Sequence, residues 1–102
     1  MMELNSNNFQ EFLRGNKIAV IDFWAPWCSP CRALEPILKE VEKEMGNVSF
    51  GKVNVDENME LAQYYGIRSI PTLIIFVNGK ERDRIIGYVA KEDIVERIRE
   101  AL

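Results

Sequence analysis

Residues 17–31 read KIAVIDFWAPWCSPC. Residues 17–24 are almost wholly apolar and rich in β-branched and aromatic side chains, which predicts a strand covered on both faces. Asp22 is the one acid inside it. Ala25-Pro26-Trp27 interrupts the run, and Cys28-Ser29-Pro30-Cys31 opens a segment, 28–45, in which Cys31, Leu34, Leu38, Val41 and Met45 recur at helical spacing before Gly46-Asn47. A Cys-x-x-Cys that follows a buried strand and opens a helix reads as a redox motif rather than as half of a zinc site. Cys28, at the helix N-terminus, meets unpaired backbone N–H groups and the positive end of the macrodipole, both of which favour thiolate over thiol. It is therefore expected to be the attacking sulfur. Cys31, one turn further in on the apolar stripe, is expected to be shielded and to act as the resolving thiol. Pro36 removes one backbone hydrogen bond and crowds the carbonyl of Arg32, so a kink that sets the first helical turn apart is expected.

Outward from this stretch, helix and strand signals alternate. Residues 7–14 place Phe9, Phe12 and Leu13 at i, i+3 and i+4, a short helix stopped by Gly15-Asn16. Residues 48–55 read as a strand with Val53 and Val55 on one face and Lys52 and Asn54 on the other. Asp56 is expected to cap a short helix through Tyr65 that Gly66 stops, with Tyr64 and Tyr65 as ordinary packing residues. Residues 73–77 (LIIFV), the Asn78-Gly79 pair of a type I′ turn and residues 81–87 form an antiparallel hairpin. Ile94, Val95, Ile98 and Leu102 line one face of a closing helix over 91–102, whose start at Ala90 lacks the polar cap such a position favours. With a short first strand at 2–5, this order predicts an α/β fold, a central mixed sheet of four or five strands flanked by four helices on both faces. No repeat, linker or low-complexity tract divides it, so residues 1–102 are read as a single domain.

Composition removes several function classes. The 102 residues carry 13 Lys+Arg against 16 Asp+Glu, a net charge of −3 with no basic cluster, so no nucleic-acid partner is expected. Histidine is absent, which excludes Ser-His-Asp hydrolysis and imidazole acid–base chemistry. Two cysteines without histidine supply too few ligands for tetrahedral zinc within one chain, so no metal is expected. The longest nearly apolar runs fall far short of the roughly 20 residues that span a bilayer, and no leader pattern is visible. A cytoplasmic protein with no membrane association is expected, and in that reducing compartment a cysteine pair is more often catalytic than structural.

Taken with their neighbours, the cysteines carry a resemblance. Asp22-Phe23-Trp24-Ala25-Pro26-Trp27-Cys28-Ser29-Pro30-Cys31-Arg32, Pro36, Lys52-Val53-Asn54-Val55-Asp56, Tyr65-Gly66-Ile67, Ser69-Ile70-Pro71-Thr72-Leu73, Asn78-Gly79 and Gly87 occur in the order and spacing of the thioredoxin family, which the chain resembles over nearly its whole length. The resemblance implies a thioredoxin fold and reversible reduction of protein disulfides, with no cofactor beyond a reversible Cys28–Cys31 disulfide. It also implies a thioredoxin reductase that recharges the pair, disulfide-containing client proteins and a monomer. Rival readings are a disulfide oxidant or isomerase, a glutaredoxin-like redox protein, and a thioredoxin-fold binding subunit.

The resemblance also assigns residues. Asp22 would be a buried carboxyl, raised toward neutrality by desolvation, that takes the Cys31 proton, and Lys52 a nearby lysine favouring its ionised form. Pro71 would be cis, laying the Ile70 backbone beside Cys28 for an extended client chain. Trp27, Ser29 and Pro30 would belong to the client-docking surface, Gly87 would let a client backbone come close, and Tyr88, a departure from the family at that surface, would narrow or retarget client choice. Trp24 would pack beneath the site, with Pro36 structural nearby. Two departures stand out: Ser29 occupies a position that is glycine in typical members, within the pair that tunes redox potential, and Tyr88 adds a bulky ring beside Gly87.

Overall fold

A computed structural model describes residues 1–102. Nine elements follow one another: β1 (Met2–Leu4), α1 (Phe9–Gly15), β2 (Ile18–Trp24), α2 (Ser29–Glu44), β3 (Ser49–Asn54), α3 (Met59–Tyr64), β4 (Thr72–Val77), β5 (Lys80–Ile86) and α4 (Lys91–Ala101). The strands form one sheet in the order β1-β3-β2-β4-β5. The β1–β3 and β2–β3 pairs are parallel, and the β2–β4 and β4–β5 pairs are antiparallel. This is the expected mixed sheet, with five strands and four helices.

Strand alternation divides the apolar side chains between two faces. Val20, Phe50, Leu73, Ile75, Val77 and Ile85 meet Leu34, Leu38 and Val41 of α2 and Ile94, Ile98 and Ala101 of α4. Leu4, Ala19, Ile21, Phe23, Val53, Ile74 and Phe76 meet Phe9 and Leu13 of α1, with Leu61, Tyr65 and Ile67 closing the edge. Asp22 and Trp24 share the parity of Val20, and Lys52 that of Phe50. The two charged residues therefore project to the α2 face. Gly51 has the opposite parity, and a Cβ there would come within 2.5 Å of the Leu4 side chain, so glycine leaves the space that Leu4 fills. The β4–β5 turn has φ of 54° at Asn78 and 80° at Gly79, the left-handed pair that a type I′ turn requires.

Pro36 lies on the exposed side of α2, which is one helix from Ser29 to Glu44. Proline has no N–H to give the Arg32 carbonyl, and Arg32 is exposed enough for water to solvate it. Several local expectations are corrected. Asp56 does not cap α3. Asn54 Oδ1 accepts from Asp56 N at 2.9 Å, Asn58 Nδ2 donates to Asn54 O at 3.0 Å, and this turn delays the helix until Met59, with Asn58 at the cap position. Leu102 lies beyond α4 and is exposed, its place in the core taken by Ala101. Tyr65 packs between Phe9, Phe23 and Phe76, whereas Tyr64 is largely exposed. Ala90 gives α4 no side-chain cap, and Glu92 and Asp93 place negative charge in its first turn instead. Arg97 binds Asp83 through two hydrogen bonds of 2.6 and 2.8 Å, tying α4 to β5.

Candidate active site

The cysteine pair sits where β2 ends and α2 begins. Cys28 occupies the N-cap of α2 with an extended backbone (φ −88°, ψ 106°), and its sulfur accepts a hydrogen bond from Cys31 N at 3.2 Å. A sulfur thus fills the role that Ser, Thr or Asp usually takes at a helix start. The two residues form a disulfide with Cα atoms 5.2 Å apart, within the ordinary range for such bridges. Cys28 is 5% exposed and Cys31 2%, so both sulfurs are recessed and the contrast in access is smaller than the sequence leads one to expect. Ala25, Trp24, Val55 and Ile70 pack around them.

Three loops converge on this point. The Ile70–Pro71 peptide is cis, and the Ile70 carbonyl oxygen lies 3.8 Å from Cys28 Sγ. Gly87, with φ of 92°, donates from its backbone N–H to the Pro71 carbonyl at 2.8 Å, which fastens the end of β5 to the same loop. Trp27 is 67% exposed, and its indole Nε1 donates to Asp56 Oδ2 at 2.8 Å. Arg32 donates to the Pro26 carbonyl at 2.7 Å and to Ser29 Oγ at 3.2 Å, closing the loop ahead of the helix. Ser29 and Pro30 are exposed beside Cys28, and Ile86 and Tyr88 are exposed on either side of Gly87. The result is an open surface around a recessed disulfide. The largest recess, about 700 Å³, lies elsewhere, along α4 between Lys91 and Glu100.

Asp22 lies in the centre of the sheet, 3% exposed, with no hydrogen-bond partner in the protein for Oδ1. Its register partners are Lys52 on β3 and Leu73 on β4. Burial pushes its pKa from 3.8 up to about 7, the negative charge of Glu35 adds to the rise, and Lys52 opposes it. Lys52 makes its ion pair with Glu35, Nζ to Oε2 3.6 Å, and lies 4.8 Å from the centre of the Trp24 ring. Trp24 is half-buried between that cation and the cysteines. No group of three or more His, Cys, Asp and Glu side chains is arranged to hold a metal ion, and no helix is long and apolar enough to cross a membrane.

Three residues of this surround escaped the sequence reading. Glu35 stands four residues after Cys31, on the side of α2 that meets β3, and that i+4 spacing was the available signal. Asp56 satisfies the local rule for a helix cap and is instead the acceptor for Trp27. Arg32, adjacent to the motif, braces the loop through contacts that no periodicity encodes.

The family model for thioredoxin matches residues 1–100. The chain belongs to the thioredoxin family. Thioredoxins are thiol–disulfide oxidoreductases, and the Cys28–Cys31 pair is the group in this chain placed for that exchange. A thioredoxin of Alicyclobacillus acidocaldarius is 43% identical over 102 residues, covering 99% of this chain and 97% of that one. The X-ray structure of Fasciola hepatica thioredoxin superposes with a TM-score of 0.93 at 34% identity over the full length of both chains. A mutant thioredoxin from Halobacterium salinarum gives the same TM-score at 28% identity, covering 98% of this chain and 88% of that one.

Proposed function

We propose that this thioredoxin reduces disulfides of client proteins in two exchange steps. The Cys28 thiolate attacks a client disulfide, forming a Cys28–client bond and releasing one client thiolate, which takes a proton from solvent. Asp22, as carboxylate, then accepts the Cys31 proton. The Cys31 thiolate attacks Cys28 Sγ, the Cys28–Cys31 bond forms, and the second client sulfur leaves as thiolate and is protonated. Two electrons pass from the dithiol to the client. In the reverse direction the Asp22 carboxyl returns its proton to Cys31.

The observation that carries this reading is Cys28 at the N-cap of a 16-residue helix, its sulfur accepting from Cys31 N at 3.2 Å. That backbone donor and the helix dipole both stabilise negative charge on Cys28. The burial of Asp22 supports its role: a carboxyl that titrates near 7 can both take and return a proton at neutral pH. Lys52 acts as a modulator of that group. Trp27, Ser29, Pro30, Ile70, Pro71, Gly87 and Tyr88 form the docking surface, Ile70 offering its backbone carbonyl and Gly87 leaving space for a client backbone. Trp24 supports the cysteines from below and Pro36 belongs to the helix that carries them.

We further infer a single domain over residues 1–102, supported by one sheet with a core on each face. A monomer that uses no bound cofactor, is recharged by a thioredoxin reductase and works in the cytoplasm completes the reading. In a reducing compartment a cysteine pair is more often catalytic than structural, and the net charge of −3 supports protein rather than nucleic-acid clients. The test is trapping. Incubated with a protein disulfide such as that of insulin, Cys31→Ser is expected to accumulate a covalent mixed disulfide and Cys28→Ser to form none; the opposite pattern reverses the two roles, and no adduct from either removes the exchange mechanism.

A further inference from the structure

Lys52 stands directly opposite Asp22 in the β2–β3 register, on the same face of the sheet. A buried carboxylate beside a lysine is the ordinary setting for an ion pair that holds the acid ionised. Here the ammonium is engaged elsewhere. Its ion-pair partner is Glu35 Oε2 at 3.6 Å, it lies 4.8 Å from the centre of the Trp24 ring, and no Asp22 oxygen is within 4.0 Å of it. Glu35 also faces Lys39 at 3.4 Å, so one carboxylate holds two ammonium groups on α2 and β3. The Glu35 side chain keeps 29% exposure and Lys52 only 17%, which places the pair at the border between solvent and the interior around Asp22.

We propose that Glu35 is a positioning residue for proton transfer at the cysteine pair, holding the Lys52 ammonium over Trp24 and off Asp22 so that the buried carboxyl can both accept and return a proton. This deepens the proposed mechanism and rests on the reading of Asp22 as the proton carrier. The charged groups that act on Asp22 from the elements packed against it are Glu35 of α2 and Lys52 of β3, with the sulfur pair at the start of α2. On its other side β4 presents Leu73, which does not ionise. Glu35 acts on Asp22 in two ways with the same sign. Its own negative charge disfavours a second carboxylate nearby, and its grip on Lys52 weakens the one cation that would favour it. Loss of the Glu35 charge releases Lys52 to turn toward Asp22, and the acid then gives up its proton at lower pH.

The test is the carboxyl titration of Asp22, followed by carbon-13 NMR of the oxidised full chain, in the wild type and in Glu35→Gln, Lys52→Met and the double variant. Glu35→Gln is nearly isosteric at a partly exposed position, so the fold is retained. Its Asp22 midpoint is expected to fall by about 1 pH unit, the size of effect one close charge produces, and in Lys52→Met it is expected to rise. In the double variant the effect of removing the Glu35 charge is expected to shrink to less than half. An unchanged or raised midpoint in Glu35→Gln overturns the proposal. A single-turnover pH profile of client reduction separates this inference from the mechanism beneath it. A profile displaced together with the midpoint supports both. A midpoint that falls while the profile stays in place supports the hold of Glu35 on Asp22 and overturns Asp22 as the proton carrier.

Discussion

Replacing Asp22 by Asn tests the central electrostatic feature of the molecule through stability alone. Burial of this carboxyl raises its pKa in the folded chain from 3.8 to about 7. At low pH the group is neutral in both folded and unfolded chains and has no pH-dependent effect. As pH rises past 3.8 the unfolded chain releases its proton while the folded one keeps it, so the unfolded state binds fewer protons and stability falls. The loss accumulates until pH passes about 7, beyond which both states are ionised and it is complete. At about 1.36 kcal/mol per pH unit, the displacement from 3.8 to about 7 is worth about 4 kcal/mol. Asn is a neutral group of nearly the same shape, so Asp22→Asn removes this dependence and little else. The assay is urea or guanidinium unfolding of both oxidised proteins across pH, taking the difference between them so that every other titrating group cancels. Relative to its value near pH 3, that difference is expected to favour Asp22→Asn by about 1–2 kcal/mol at pH 5 and about 4 kcal/mol at pH 8. A difference independent of pH refutes the reasoning, because Asp22 would then titrate alike in the folded and unfolded chains. A difference that grows with falling pH refutes it more directly, because the folded protein would then favour the ionised form.

Other outcomes follow from single contacts. Leu38→Ala empties a fully buried position between α2 and the sheet, and is expected to cost about 2–5 kcal/mol in chemical unfolding. Gly66, with φ of 65° just past α3, is expected to lose about 1–2 kcal/mol on change to Ala, read as a lowered unfolding midpoint with an unchanged denaturant slope. Gly87→Val adds a branched side chain at φ 92° beside the Ile70–Pro71 loop, and is expected to slow reduction of a protein disulfide at least about tenfold more than reduction of a small-molecule disulfide. Equal slowing of both would mean the side chain disturbs the cysteines rather than client approach. The midpoint potential of the Cys28–Cys31 couple is expected near −270 mV in a dithiol redox buffer series; a value between about −180 and −120 mV would mark an oxidant or isomerase and make Ser29 the residue to exchange next.

Much of the candidate site was legible because its signals are local. A β-branched run ending in Trp24, a Cys-x-x-Cys and an apolar stripe three and four residues apart are short-range patterns, each tied to one backbone geometry. Asn78-Gly79 demands left-handed backbone that few other pairs accept, and the hairpin follows. The misread helix cap fails for the opposite reason. Asp56 satisfies the local rule for a cap, but the Asn54–Asn58 turn moves the helix start and leaves the carboxylate to Trp27, which is 29 residues away. Pro36 lies inside α2 as its spacing predicts, and packing of Leu34, Leu38 and Val41 against the sheet carries the helix through the one hydrogen bond that proline cannot donate.

By itself, then, the sequence determined the element order, the two-faced sheet and the chemistry available at Cys28 and Cys31, since composition and periodicity dictate what each segment buries and which groups can react. Tertiary structure alone decided which groups meet those sulfurs. Ile70 reaches Cys28 across 42 residues, Lys52 is opposite Asp22 through a parallel strand pairing, and Glu35 of α2 pairs with that lysine across the gap between helix and sheet. No spacing within a single element encodes such distances. Electrostatics in a desolvated interior depends on separations of a few ångströms, and only the packed chain sets them.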